Sequence, residues 1–440
     1  MKNNEWKYYR LDEIGTIITG KTPYTKVSDN FGYTYQFITP RDMDVTKYII
    51  KTERYLSKKG LESVSRNVVN ENSVCVSCIG SDMGKVVMTK EKAVTNQQIN
   101  SITNIKENFI PDFIYYSLKP MKDFFHSIAG GTTMPIINKS QFSSIEIKIP
   151  AIEIQQKISN ILSIIDSKIE INNQINEKLE ETAKALYKEW FVNFNFPDEN
   201  GLPYKDNGGE FVDSELGKIP VNWKIKKLGE LTIKFTTGLN PRNNFVLGKG
   251  NNYYVTIKNM NNNSIILDDK CDRIDDEALR IINKRSQLNV GDILFSGIGT
   301  IGRVYYVDKR PTNWNISESI FVIRPNHLIS SELLYLIMLS DDLQNYAQQL
   351  ASGSVQKGIR MKDLKEYKVI VPDNEFIKYF SSILLIIIKQ QKALEYENSK
   401  LKEILRSLLS KLMSGQIDVD KLNIDWDKLD KTLKEVENLV

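Results

Sequence analysis

Histidine and cysteine are scarce in this chain, two and three residues among 440. His126 and His327 stand at unrelated places, which leaves little for a histidine-based catalytic site. Three cysteines cannot make a disulfide framework. Cys75 and Cys78 form a lone C-x-x-C with no second pair and no nearby histidine. That falls short of the four ligands zinc takes, so both read as core residues of an apolar strand. Long apolar runs are missing too. The densest, Ile383 to Ile388, is far too short to span a bilayer, and the polar stretch Met1 to Arg10 lacks a signal peptide's apolar segment. These absences point to the cytoplasm. Charge of one sign is hardly in excess: 59 Lys+Arg against 55 Asp+Glu, a net +4. This excludes a histone-like polycation and leaves DNA binding to local patches. The chain is long enough for two or more domains, each with its own core.

What is present is a repeat. Trp6-Lys7, Leu11 and Thr19-Gly20-Lys21-Thr22-Pro23 return as Trp223-Lys224, Leu228 and Thr237-Gly238-Leu239-Asn240-Pro241. Ile38-Thr39-Pro40-Arg41-Asp42-Met43 returns as Val255-Thr256-Ile257-Lys258-Asn259-Met260. Cys78-Ile79-Gly80-Ser81-Asp82-Met83-Gly84-Lys85-Val86 matches Ser296-Gly297-Ile298-Gly299-Thr300-Ile301-Gly302-Arg303-Val304. Gly131-Thr132 through Ile149-Pro150 matches Gly353-Ser354 through Val371-Pro372. The offset drifts only from 217, Trp6 to Trp223, to 222, Pro150 to Pro372.

Within each copy, short β-branched and aromatic runs alternate with Gly, Asn and Asp turns. Ile145-Glu146-Ile147-Lys148-Ile149 has the period of a half-buried strand. After each proline the period changes. Ile154, Ile158, Ile161, Ile165 and Ile169, then Leu179, Ala183, Leu186 and Trp190, recur at steps of three or four. Phe380, Ile383, Ile387, Leu394, Leu401, Leu405, Leu408 and Leu412 do likewise. A narrow apolar seam of this kind is the signature of a coiled coil. Asn195 to Pro203 and Asn207-Gly208-Gly209 between the copies suit an exposed connector. The expected fold is α+β, two similar domains (1–150 and 223–372) joined by two long antiparallel helices (151–192 and 373–413) about an internal pseudo-two-fold. Residues 193–222 form the connector and 414–440 a tail.

Such an arrangement reads as a ruler. A helix of roughly 38 residues spans about 57 Å, so two unlike readers would sit something over one duplex turn apart on a split DNA site. Asn172 and Asn398 fall at or beside the seam, where a polar residue either pins register or is simply solvated. The tail carries Trp426 with Leu422, Leu429 and Leu433 at helical spacing; it either packs on the first domain or binds a partner.

Several residues carry a resemblance. Ala185-Leu186-Tyr187-Lys188-Glu189-Trp190-Phe191 with Phe196-Pro197, Glu215-Leu216-Gly217-Lys218-Ile219-Pro220-Val221-Asn222-Trp223, and Leu408-Leu409-Ser410-Lys411-Leu412-Met413-Ser414-Gly415 resemble the specificity subunit of Type I restriction–modification systems. The likeness covers nearly the whole chain. It implies two target recognition domains that read the halves of a bipartite double-stranded DNA sequence. It also implies helices that dock two methyltransferase subunits, with restriction/translocase subunits joining them. The resemblance places S-adenosylmethionine, ATP and magnesium on those partners and no cofactor in this chain. Ile158, Ile165, Leu179, Leu186, Ile387, Leu394, Leu401 and Leu408 are the candidate docking residues.

Enzymatic readings are weaker. Phe295-Ser296-Gly297-Ile298-Gly299 spells the F-x-G-x-G loop of adenine methyltransferases, but the other copy has Ser77-Cys78-Ile79-Gly80-Ser81, and no Asp/Asn-Pro-Pro-aromatic motif exists. A Gly turn between strands explains it. Gly80 to Val86 is one residue short of a phosphate-binding loop and lacks its final Ser/Thr. Pro111-Asp112 with Glu146-Ile147-Lys148 is too loose for a nuclease, and the second copy has Ser330-Ser331 instead of the first pair. A two-domain adhesin or scaffold is the reading from another class. The candidate DNA face comprises Lys21, Arg41, Lys85 and Lys139 in the first copy and Asn240, Lys258, Arg303, Lys357 and Arg360 in the second, near the loops Gly130–Thr133 and Ser352–Val355. Such side chains contact phosphates and read base edges.

Overall fold

A computed structural model describes residues 6–43, 46–130, 135–198, 200–261, 264–351 and 357–437. The chain forms two compact units: Met1–Asn173 with Glu397–Val440, and Gln174–Tyr396. Both long helices, Ile152–Tyr187 and Asn374–Met413, contribute a segment to each unit.

In the first unit, an antiparallel sheet runs in the order Thr16–Thr19, Ile99–Thr103, Val74–Ser77, Val86–Met88. A second sheet includes one parallel pair, Tyr35–Ile38 beside Ala93–Thr95. Lys7–Arg10 pairs with Glu146–Ile149 and brings the start of the domain to the start of its helix. Ile145, Ile147 and Ile149 are buried and Glu146 and Lys148 exposed, as their alternation requires. The core gathers Val74, Val76, Ile102, Phe113, Tyr116 and Phe142 onto Ile154, Ile158 and Leu162 of one helix and Leu405, Leu409 and Leu412 of the other. The tail joins this unit. Ile417, Leu422 and Trp426 pack against the core, Asp420 pairs with Lys157 at 2.6 Å, and the Lys157 ammonium lies 5.2 Å over the Trp426 ring.

The second unit repeats the plan. Thr232–Thr237, Ile320–Pro325, Ile293–Ser296 and Val304–Tyr306 make its antiparallel sheet. Asn252–Val255 runs parallel to Trp314–Ile316, and Lys224–Lys227 pairs with Lys368–Val371. The first long helix ends in a π turn, Lys188–Val192, whose wider coil sends both Trp190 and Phe191 inward. They meet Phe376 and Phe380 at ring separations of 4.8 to 5.7 Å. The connecting segment is folded, because Phe196 stacks between Tyr204 at 4.6 Å and Trp223 at 5.1 Å. Its prolines and glycines shape turns, while its aromatics supply an anchor that turn composition does not reveal.

In each unit the helix segments run antiparallel. Asn172 faces Asn398 in the first, and Trp190 faces Phe380 in the second. Both asparagines are buried. Asn172 Nδ2 donates to Asn398 Oδ1 at 2.9 Å and to Glu397 Oε2 at 2.8 Å, and Asn398 Nδ2 donates to Asn173 Oδ1 at 2.9 Å. The seam position is thus the correct one of the two readings, and the paired amides fix its register.

Candidate nucleic-acid interface

The repeat motifs fold into one set of loops at one edge of each globular part. Thr19 and Thr237 end their strands at a glycine, and a Cβ on Gly20 or Gly238 would collide with the backbone oxygen of Asn96 or of Ile316. The loop that follows is therefore pressed onto its neighbour. Thr22 Oγ1 donates to Gln97 Oε1 at 2.7 Å in the first unit, and Asn240 Nδ2 to Glu318 Oε1 at 2.8 Å in the second. Tyr254 donates to the same carboxylate at 2.9 Å; burial, then Glu318, push its hydroxyl well up, so it stays protonated as a donor.

The second loop carries Arg41 or Lys258, both exposed. Asp42 Oδ2 accepts from the Thr39 amide and hydroxyl at 2.8 and 2.7 Å. Asn259 Oδ1 accepts from the Thr256 amide and hydroxyl, both at 2.9 Å. The third loop is the Gly turn, with left-handed backbone at Gly80 and Gly84 and at Gly299 and Gly302. Its serine closes it: Ser77 Oγ accepts from the Lys85 amide at 2.9 Å, and Ser296 Oγ from the Arg303 amide at 2.8 Å. This geometry is a strand connection in both copies, including the stretch that spells F-x-G-x-G. The segment preceding Lys139 and the segment Lys357–Arg360 pair with that turn, through Ile79 with Ile136 and Ile298 with Gly358. Lys139 is exposed at the first position of its short helix.

The structure thus brings together the loops bearing Lys21, Arg41, Lys85 and Lys139, and those bearing Asn240, Lys258, Arg303, Lys357 and Arg360. Their availability differs. Lys21, Arg41, Lys139, Lys258 and Lys357 are exposed. Lys85 Nζ donates to the Pro40 carbonyl at 2.8 Å and pairs with Asp82 at 3.0 Å. Arg303 Nη1 donates to the carbonyls of Ile257, at 2.7 Å, and Met260. Both hold the neighbouring loop in place. Arg360 pairs with Asp363 at 2.7 Å while staying exposed. The loop residues Gly131–Thr133 and Ser352–Val355 lie outside the described residues. Sequence reasoning missed Gln97 and Glu318, although a run of amides, Asn96-Gln97-Gln98, between two apolar strands is a legible signal.

On the helices, Ile158 and Leu394 are buried, and Ile165, Leu179, Leu186, Ile387, Leu401 and Leu408 are half-buried. Ile158 belongs to the core of the first unit, and Leu186 and Ile387 pack on the core of the second. Large apolar side chains facing outward stand elsewhere: Tyr379 and Ile386, seven residues apart, in the second unit, and Ile404 in the first.

The cysteines are core residues. Burial pushes Cys75 up to about 12 and Cys78 to about 11. Among the described residues there is no metal-binding cluster and no helix long and apolar enough to cross a membrane.

Comparison with known proteins agrees with this frame. The MjaIX specificity subunit of a Type I restriction enzyme from Methanocaldococcus jannaschii is 27% identical over 425 residues, covering 95% of each chain. The HindI specificity subunit from Haemophilus influenzae is 24% identical over 94% of this chain and 100% of its own. The crystal structure of a Type I restriction–modification S subunit from M. genitalium shares the fold, with a TM-score of 0.51 and 18% identity, covering 94% of this chain and 97% of that one. The family model described as the Type I restriction modification DNA specificity domain matches twice, at residues 3–181 and 220–406, so the chain belongs to that family and carries two copies of its domain.

Proposed function

We propose that this non-catalytic chain reads a bipartite, asymmetric double-stranded DNA target, one half with the loop cluster of each unit. In this reading it positions two adenine-N6 methyltransferase subunits on the target, joined by restriction/translocase subunits. S-adenosylmethionine, ATP and magnesium belong to those partners, and the complex works in the cytoplasm. The observation that carries the reading is a frame whose main turns are closed by the same bonds in both units while its tips differ. The same Gly stop, Thr-centred turn and serine-closed Gly turn present Lys21, Thr22 and Arg41 in one unit and Leu239, Asn240 and Lys258 in the other. One scaffold with two sets of tips suits two different half-sites, since base contacts specify and phosphate contacts position. Outward Tyr379, Ile386 and Ile404 suit partner docking, because Ile158, Ile165, Leu186, Ile387 and Leu408 already pack on the cores of the chain.

Methylome sequencing of cells with and without the gene, the partner methyltransferase intact, tests this. Loss of one bipartite N6-methyladenine motif is expected and supplies both half-sites. An unchanged methylome, with the partner expressed and active, refutes it and favours a protein scaffold.

A further inference from the structure

We infer that the first unit holds a binding site for an organic phosphate with an apolar body, the chemical class of mononucleotides. A cavity of about 940 Å³ opens there between the globular part and the helix segments, within the size range of small-molecule sites. Ile50, Ile169, Leu405, Leu409 and the Tyr48 ring give it an apolar wall. Its charged lining is five cations, Lys47, Lys90, Lys119, Lys402 and Arg406, against the two carboxylates Asp166 and Glu170. At its floor, Lys47 has only 5% of its side chain exposed, pairs with Asp112 and donates to Ser163 Oγ at 2.8 Å. Tyr116 donates to Asp166 Oδ2 at 2.8 Å, and Lys119 lies 3.9 Å from that carboxylate. Burial, with Lys47 adding to it, pulls Lys119 below the ordinary lysine range, an effect an incoming anion relieves. Lys402 and Arg406, one helical turn apart, make no ion pair among the described residues.

The second unit is an internal control. At the helix offset of 222, Asp166, Ile169, Lys402, Leu405 and Arg406 correspond to Ile388, Gln391, Glu180, Ala183 and Lys184, and Lys119, at the end of the helix that Pro111 opens, corresponds to Leu339 at the end of the helix that Ser331 opens. There the equivalent space, lined by Glu180, Ala183, Leu339, Ile388 and Gln391, has closed to about 10 Å³. Glu180 neutralises Lys184 at 2.7 Å. The second unit therefore closes this place, with Ala183, Leu336, Leu339, Leu384 and Ile388 filling it beside Glu180 and Gln391. Buried ion pairs are rarely better for stability than well-packed apolar residues of similar size, so folding does not account for the Lys47–Asp112 and Lys119–Asp166 pairs of the first unit. Unpaired cations beside an apolar wall select an anion with a hydrophobic body, and the Arg406 guanidinium matches phosphate in two-point geometry.

The test is calorimetric titration of the full chain with AMP and ATP, with ribose 5-phosphate and pyrophosphate as base-free arms and duplex DNA as competitor. A mononucleotide is expected to bind with a dissociation constant below about 1 mM and at least about tenfold more tightly than the base-free arms. Lys402→Glu/Arg406→Glu, at exposed positions, is expected to weaken binding at least about tenfold with an unchanged Tm, and Lys184→Glu in the second unit to leave it unchanged. No binding by either mononucleotide overturns the inference, as does unaltered affinity in the double variant. Equal affinity for pyrophosphate removes the apolar-body assignment, and a site filled by duplex DNA alone refutes the small-molecule class. None of these outcomes depends on the methylation partner.

Discussion

Replacing Arg303 by leucine separates a loop tether from a DNA contact. The guanidinium holds two backbone carbonyls, Ile257 and Met260, that flank exposed Lys258. Leucine fills similar space and leaves both acceptors without that donor. A lost charge-assisted hydrogen bond costs about 1.5–3 kcal/mol. Both bonds use one nitrogen and the residue is partly exposed, so about 2 kcal/mol is expected rather than twice the single-bond figure. For a unit the size of Gln174–Tyr396 that lowers Tm by about 4–8 °C. Differential scanning calorimetry of the full chain reads this directly, and Lys258→Ala is the control, expected to leave Tm in place while weakening DNA binding. Arg303→Lys, which keeps one donor group, should recover part of the loss. An Arg303→Leu variant with the parental Tm refutes the tether, and loss of DNA binding in that same variant would return Arg303 to the set of direct contacts.

Trp190→Ala empties the centre of the aromatic cluster and should cost about 3–5 kcal/mol, read by chemical denaturation. Asn172→Leu strips Asn398 Oδ1 of a buried donor and should cost about 1–3 kcal/mol. The double Asn172→Leu/Asn398→Leu variant should regain most of that stability while loosening register, measurable by crosslinking across the seam. Ile386→Asp, at a position 70% exposed, should leave Tm nearly unchanged and reduce methyltransferase co-purification, whereas Ile158→Asp should unfold the first unit. Burial raises the folded Cys75 and Cys78 thiols to about 12 and about 11 from 9.0. Their contribution to stability is thus complete below pH 9 and is lost as pH rises through 11 to 12; Cys75→Val should flatten that alkaline fall in a pH series of denaturation curves.

The sequence by itself determined the repeat, the two long helices and the family, because each is written in local periodicity or in ordered matches along the chain. Strand Glu146–Ile149 and the helix beginning at Ile152 follow from period alone. The basic loop positions were legible as residue types, and their roles were not. Lys85 and Arg303 look like Arg41 and Lys258 in sequence, and only the tertiary structure shows the first two holding backbone carbonyls while the others stay exposed. The same holds for the helices, where a seam period marks what is apolar but leaves open which apolar residues the chain itself buries. Tertiary packing also decided that the tail returns to the first unit, that Asn172 meets Asn398, and that the space beside Asp166 is open where the one beside Ile388 is closed. These outcomes depend on which distant side chains arrive at each position, and on the cost of burying a polar group without a partner, neither of which is written in local sequence.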